Sequence, residues 1–357
     1  MDIESRLKLI NEVGEEIVTV PELRELLESG KKLVAYDGFE PSGRIHIAQG
    51  IMRAININKM TKAGVKFKML VADWHGWANN KMGGDLEKLQ KVGKYFIEVW
   101  KASGMDLEKV EFVWANDFIK DPEYWKIVMQ VVRNSTVSRI VRCGQIMGRK
   151  EAEVMQASQI LYPCMQCADI FYLKANICQL GMDQRKVNVL AREIGEKLGF
   201  WKPVIVSHHM LMGLGQPATG EKDALERTID LKMSKSKPDT AVFMDDSEEE
   251  IKRKILKAWC PEQVAENPVL EYCKYLIFER FDAMKIERPA KFGGDVEFGS
   301  YGELEKAYST GKIHPADLKK ATALYINKMV EPVRKHFETD KKARELQEFV
   351  KSERVTR

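Results

Sequence analysis

No apolar run among the 357 residues approaches the roughly 20 that cross a bilayer, so an integral membrane role is not expected. Cysteine is scarce, six in all, which excludes a disulfide-stapled scaffold and points to free thiols. A single CxxC occurs, at Cys164 and Cys167. Structural zinc usually draws four ligands from two such pairs, so no metal is expected there. A dominant charge is missing too: 57 basic against 53 acidic side chains leave +4, which neither argues for nor excludes a nucleic-acid partner. Met1-Asp2-Ile3-Glu4-Ser5-Arg6 lacks the apolar core of a signal peptide, and a cytoplasmic location is the expectation. Repeats and low-complexity segments are absent as well. What is present is length enough for two domains and an ordinary apolar fraction of 44%.

Patterning along the chain alternates strand and helix. Thr19-Val20-Pro21 opens a short helix that ends at Gly30, with proline in its first turn and glycine past its end. Lys32 to Phe39 reads as a first strand, followed by a glycine-containing turn and a helix from about His46. Val65 to Asp73 is a second strand and Val110 to Trp114 a third. Between them Leu86, Leu89, Val92, Phe96 and Val99 recur at helical spacing. Pro203 to Val206 is a late strand. Such alternation predicts an α/β fold, a mostly parallel sheet wrapped by helices, with ligands at the carboxyl ends of the strands. From Ser247 the composition turns mainly helical up to Phe337, which sets domain boundaries at 1–240 and 241–357, and the charged stretch from Lys341 is expected to fray.

Three stretches carry chemistry. Lys232-Met233-Ser234-Lys235-Ser236 offers two ammonium groups three residues apart in a small polar loop, suited to phosphate. Gly38-Phe39-Glu40-Pro41-Ser42-Gly43-Arg44-Ile45-His46 leads from strand to helix, where free N–H groups and the positive dipole end favour phosphate, and Ser42 and His46 can add donors. In Tyr162-Pro163-Cys164-Met165-Gln166-Cys167-Ala168-Asp169, helical phase puts Tyr162, Gln166 and Asp169 within about 60° of arc on one face, with both cysteines on the other. The surrounding apolar residues mark this helix as buried, and buried polar groups need partners, so a ligand pocket is favoured over a solvated stripe.

The first two stretches resemble the signatures of class I aminoacyl-tRNA synthetases. With Gly181-Met182-Asp183-Gln184-Arg185-Lys186, the third resembles the tyrosyl-tRNA synthetases of archaeal and eukaryotic type, a likeness that covers nearly the whole chain. The resemblance implies a Rossmann-like catalytic domain with an inserted connective segment at about 100–155, where subunits pair as a homodimer, and a smaller mainly helical anticodon-binding domain. It implies that ATP and tyrosine are joined as an adenylate, with Mg²⁺ bound alongside the phosphates, before transfer to tRNA(Tyr).

Residue by residue, the resemblance gives Ser42, His46, Lys232 and Lys235 to catalysis. Tyr36 and Asp169 go to the substrate hydroxyl, Tyr162, Gln166 and Gln184 to its amino and carboxylate groups. Gly38, Gln49, Asp183, Met210, Leu211, Met233, Ser234 and Ser236 join the nucleotide contacts. His75 matches a pocket-lining histidine, although a satisfied core histidine reads equally well. Arg142 and Arg185 match readers of the first acceptor pair; Phe292, His314 and Asp317 match residues around the first anticodon base. The chain departs from the family's first signature at Ala48 and Gln49, where glycine and a second histidine are usual. The related tryptophanyl enzymes share the architecture, but Tyr36 and Asp169 suit a phenol better than an indole. A buried pair built for a hydroxyl rejects phenylalanine, and tyrosyl-tRNA synthetases are a standing example of that effect. A non-catalytic paralogue that binds RNA or a protein is the rival of another class; the lysines and the polar pocket face argue against it.

Overall fold

The computed structural model describes residues 1–144, 156–217, 227, 231–233 and 238–353. Six strands form one sheet in the order β1-β6-β5-β2-β3-β4: β1 (Glu16–Val18), β2 (Val34–Phe39), β3 (Lys66–Val71), β4 (Val110–Trp114), β5 (Ile177–Cys178) and β6 (Val204–Ser207). All neighbours run parallel except the edge pair β1 and β6. β2 lies centrally, with Tyr36 opposite Lys68 of β3 and Cys178 of β5. The order reverses on either side of β2, which opens a crevice at its carboxyl end.

Local chemistry accounts for the elements around that crevice. Thr19 caps the Val20–Glu28 helix and Glu22 returns the bond, a reciprocal capping box. The helix after β2 begins just past His46 as a wider turn, Ala48–Met52, and continues as Arg53–Lys62. His46 itself sits in a short antiparallel bridge to Phe243, framed by Ile47 N–H donating to Val242 O (2.9 Å) and Met244 N–H to Ile45 O (3.0 Å). Gly50 permits that closeness: a Cβ there would lie 2.7 Å from the Met244 side chain.

Beyond Ser247, whose hydroxyl caps the Glu248–Lys257 helix, the regular structure among the described residues is helical apart from one hairpin, β7 (Met284–Ile286) with β8 (Val296–Phe298). The hairpin went unread because each arm is three residues long, too short for a period of two to stand out. The expected fraying from Lys341 is also corrected. Lys341–Ser352 is a helix capped by Asp340, with Ala343 and Val350 buried and Lys91 against Phe349. Apolar positions at helical spacing, not the high charge, decide its state.

Ion pairs join these late helices to the first signature. Arg44 contacts Asp245 at 2.6 Å and Asp246 at 2.9 Å and lies over the Phe243 ring. Asp246 also takes Lys254 at 2.6 Å, and Arg334 donates to its carbonyl.

Candidate active site

At the carboxyl end of β2 lies a cavity of about 310 Å³. Tyr36, Gly38, Ser42, His46, Gln49, His75, Tyr162, Gln166, Asp169, Asp183, Gln184, Met210, Leu211, Lys232 and Met233 all line it, so one space holds both ends of the expected site. Ser234, Lys235 and Ser236 lie outside the described residues, as does 145–155 of the connective segment.

At the deep end stands Asp169, on the Ala157–Tyr172 helix. Tyr124 Oη donates to its Oδ1 at 3.0 Å, and His75 Nε2 lies 2.9 Å from its Oδ2. Burial alone would pull the His75 imidazole pKa down, but the Asp169 carboxylate outweighs it and the net shift is upward. The Tyr36 hydroxyl is fully buried and has no hydrogen-bond partner among the described residues. Burial, then Cys178 and Asp169, keep that phenol protonated. An unpartnered hydroxyl beside a carboxylate whose Oδ2 completes no hydrogen bond among the described residues suits one visitor: a ligand hydroxyl that accepts from Tyr36 and donates to Asp169.

His75 therefore works at the pocket as well as in the core. It rides on the short Asp73–Ala78 helix, which Asp73 anchors by accepting from the backbone of Trp74 and Asn116. Midway along the cavity Gln166 Nε2 donates to Gln184 Oε1 at 3.1 Å, and Tyr162 packs edge-on to His75. Cys164 and Cys167 take no part in the lining; both are buried in the apolar core, and burial pushes the Cys164 thiol up to about 12.

Nearer the mouth, Lys232 Nζ holds Asp183 Oδ2 at 2.7 Å. Burial pushes the Asp183 carboxyl up, yet the lysine prevails and the net shift is downward. Lys232 is aimed by a bridge to Met212 and by Met233 N–H donating to Leu211 O. Gly181 lets these loops meet, since a Cβ would stand 2.5 Å from Met210 Sδ and 2.7 Å from Asp183 Oδ1.

Two adjacent histidines at the cavity's edge have opposite states. Gln179 Nε2 donates to His208 Nδ1, and burial pushes that imidazole down to about 3. His209 lies between Glu15 (3.1 Å) and Glu271 (3.0 Å), stacked on Tyr275. Burial would lower its pKa, but the two carboxylates raise it to about 9. A histidine held charged stabilises the fold fully below its unfolded value near 6.5, and that contribution fades as pH climbs through about 9. Raising the pH from 6 to 10 is expected to remove roughly 3 kcal/mol through this residue. Urea unfolding of His209→Gln should show that much less dependence on pH; parallel curves for both proteins would refute it.

The remaining candidates lie away from the cavity lining. Arg142 is exposed on the Val137–Cys143 helix, and Arg185 pairs with Glu16 at 2.6 Å. Phe292 is 59% exposed. His314 caps the Pro315–Thr339 helix, and Asp317 sits in its first turn. Arg288 braces the two loops together by donating to Gly294 O and to Lys312 O.

Sequence reasoning missed Tyr124, Asp37, Glu40, Arg53, His208 and His209. Asp37 and Glu40 flank Gly38 at a strand's carboxyl end, and that position was a usable signal. Tyr124 had none, because only tertiary packing brings its helix to Asp169.

Residues 28–331 match the family of tRNA synthetases class I (W and Y). A cytoplasmic tyrosine–tRNA ligase of Arabidopsis thaliana is 51% identical, across 100% of this chain and 90% of that protein. Among solved structures, tyrosyl-tRNA synthetase of Pyrococcus horikoshii complexed with L-tyrosine superposes with a TM-score of 0.91 at 42% identity, covering 99% of this chain and 100% of that one. The Leishmania major enzyme in complex with tyrosinol gives 0.89 at 44% identity; the match covers 99% of this chain but only 52% of that longer one.

Proposed function

The chain belongs to the class I tRNA synthetases of the tryptophan and tyrosine group, within them to the tyrosine–tRNA ligases, and we propose how its residues divide the work. The observation that carries the proposal is the buried, unpartnered Tyr36 hydroxyl beside Asp169, at the blind end of a cavity that reaches both signature segments. Tyrosine enters with its phenol between these two groups. Tyr162, Gln166 and Gln184 hold its amino and carboxylate ends.

The carboxylate is already a nucleophile at neutral pH, so the first step needs no general base. Catalysis consists of holding that carboxylate in line with the α-phosphate of ATP and stabilising charge on the departing pyrophosphate. Ser42, His46, Lys232 and Lys235 take the second task, and Asp183 takes the ribose. Gly38, Gln49, Met210, Leu211, Met233, Ser234 and Ser236 complete the nucleotide contacts. Mg²⁺ would accompany the phosphates of the nucleotide, since such an ion needs few dedicated protein ligands. When bound, it neutralises phosphate charge. The ribose hydroxyl at the tRNA 3′ end then attacks the adenylate and releases AMP.

We assign residues 1–240 to catalysis and 241–357 to anticodon reading, with Phe292 stacked on an unpaired base and Asp317 and His314 beside it. Arg142 and Arg185 meet the acceptor stem, Arg185 after leaving Glu16. Exposed Trp125, Met129 and Val137 support a homodimer through the connective segment. No helix among the described residues is long and apolar enough to cross a membrane, and we propose a cytoplasmic setting.

ATP–pyrophosphate exchange driven by tyrosine, and not by phenylalanine or tryptophan, tests the activity. Exchange with tryptophan alone would overturn it. Asp317→Ala is expected to lower tRNA charging by about 10- to 100-fold while exchange stays unchanged; an equal fall in both would remove Asp317 from the anticodon site.

A further inference from the structure

The segment that aims Lys232 is itself held from beyond Ser247. Residues 208–213 pair with two neighbours. At His208 the segment bridges Gly181, with Met182 N–H donating to His208 O at 3.1 Å and His208 N–H to Leu180 O at 2.8 Å. At Met212 it bridges Lys232, with Gly213 N–H donating to Leu231 O at 2.8 Å and Met233 N–H to Leu211 O at 3.1 Å. The first pairing adjoins Asp183 and the second carries Lys232. This short stretch therefore fixes both groups, whose side chains meet at 2.7 Å near the cavity mouth. The bonds at 211 and 213 flank the Met212–Lys232 pair, so the N–H of Met212 itself faces away from Lys232.

Glu271 takes that N–H. It lies on the Pro268–Tyr272 helix, where Asn267 caps the start by accepting from Val269 and Leu270 N–H, and Val269, Leu270 and Tyr272 are buried. Its Oε2 accepts from Met212 N–H at 2.9 Å and lies 3.0 Å from His209 Nε2. His209 is held in turn by Glu15 at 3.1 Å and stacked on Tyr275 with 4.2 Å between ring centres. The Glu271 side chain is 20% exposed, so neighbours on several sides restrict it. A charged acceptor on the backbone opposite Lys232 fixes that pairing more firmly than a neutral one would.

From this we infer that Glu271 is a positioning residue, which holds the Met212 backbone so that Lys232 meets the departing pyrophosphate. Through it, the chain beyond Ser247 sets the geometry of the reactive end. Glu271 does not line the cavity, and its effect passes through Lys232. The inference rests on the role proposed above for that lysine.

Tyrosine-dependent pyrophosphate exchange tests it, on wild type, Glu271→Ala, Glu271→Gln, Lys232→Met and the variant that combines Glu271→Ala with Lys232→Met. Rates are divided by the tyrosine sites counted in equilibrium titration, which removes any unfolded fraction. Glu271→Ala is expected to lower kcat about 10- to 100-fold, the scale of a small misplacement of a reacting group, with tyrosine affinity unchanged. Glu271→Gln, whose amide oxygen can still accept from Met212, should stay within about threefold of wild type. Once Lys232 is gone, Glu271→Ala should cost about twofold or less in addition, because the group it positions is absent. Arg280→Met is the control: it removes another tie between late and early residues, Arg280 Nη2 to Ser103 O at 2.7 Å, and should leave exchange within about twofold. If Glu271→Ala does not fold, Glu271→Asp, one methylene shorter in its reach toward Met212, stands in with the same expectations. An unchanged kcat in Glu271→Ala, a full further loss in the double variant, or an equal loss in Arg280→Met would overturn the inference alone. A wild type inert with tyrosine and ATP would overturn the functional reading, and this inference with it.

Discussion

Asp169→Ala is expected to reduce kcat/KM for tyrosine in pyrophosphate exchange by about 10²- to 10³-fold. Three groups converge on this carboxylate: the Tyr124 hydroxyl at 3.0 Å, His75 at 2.9 Å and, by the reading above, the phenol of the substrate. Removing one partner of a buried charge pair typically costs about 3–5 kcal/mol, because the group left behind is neither solvated nor paired. Here His75, 1% exposed, is the group left behind. Part of the cost should appear as lower thermal stability. Asp169→Asn separates the two effects, since it keeps the shape and loses the charge. The measurement is initial exchange rate against tyrosine concentration; a change under about tenfold in Asp169→Ala would remove the residue from the substrate site.

Lys232→Met should act on a different parameter. A positioned cation that meets charge only as it develops on the leaving group affects kcat more than binding. The expected loss is about 10²- to 10³-fold in exchange kcat, with tyrosine affinity unchanged in equilibrium titration. The lysine has a second duty, because at 2.7 Å it keeps the Asp183 carboxyl below its ordinary range against the opposing pull of burial. Without it burial prevails, and Asp183 takes up a proton at higher pH than before. Exchange by the variant should therefore decline earlier than wild type as the solution is acidified. A fall in tyrosine affinity equal to the fall in kcat would contradict this division.

Much of this was legible in the residues. β4 was read from Val110 to Trp114 and lies there, and the phase of Tyr162, Gln166 and Asp169 was right despite Pro163 within the helix. Both rest on local periodicity, which the chain carries in itself. Asp37 and Arg53 were not legible, since neither is unusual until β2 and its following helix pack. The state of His209 depends on Glu15 and Glu271, far away in sequence on both sides. The hairpin was too short to show a period.

The contacts of Arg44 have a consequence for how the protein is made. Its carboxylate partner at Asp245 lies 201 residues downstream. Closing so large a loop is slow relative to local folding, and synthesis proceeds from the amino end. The turn bearing Ser42 and His46 thus acquires its brace only after Asp245 and Asp246 have left the ribosome. A nascent chain shorter than this has no finished nucleotide pocket, and competence to use ATP arrives late in its own translation.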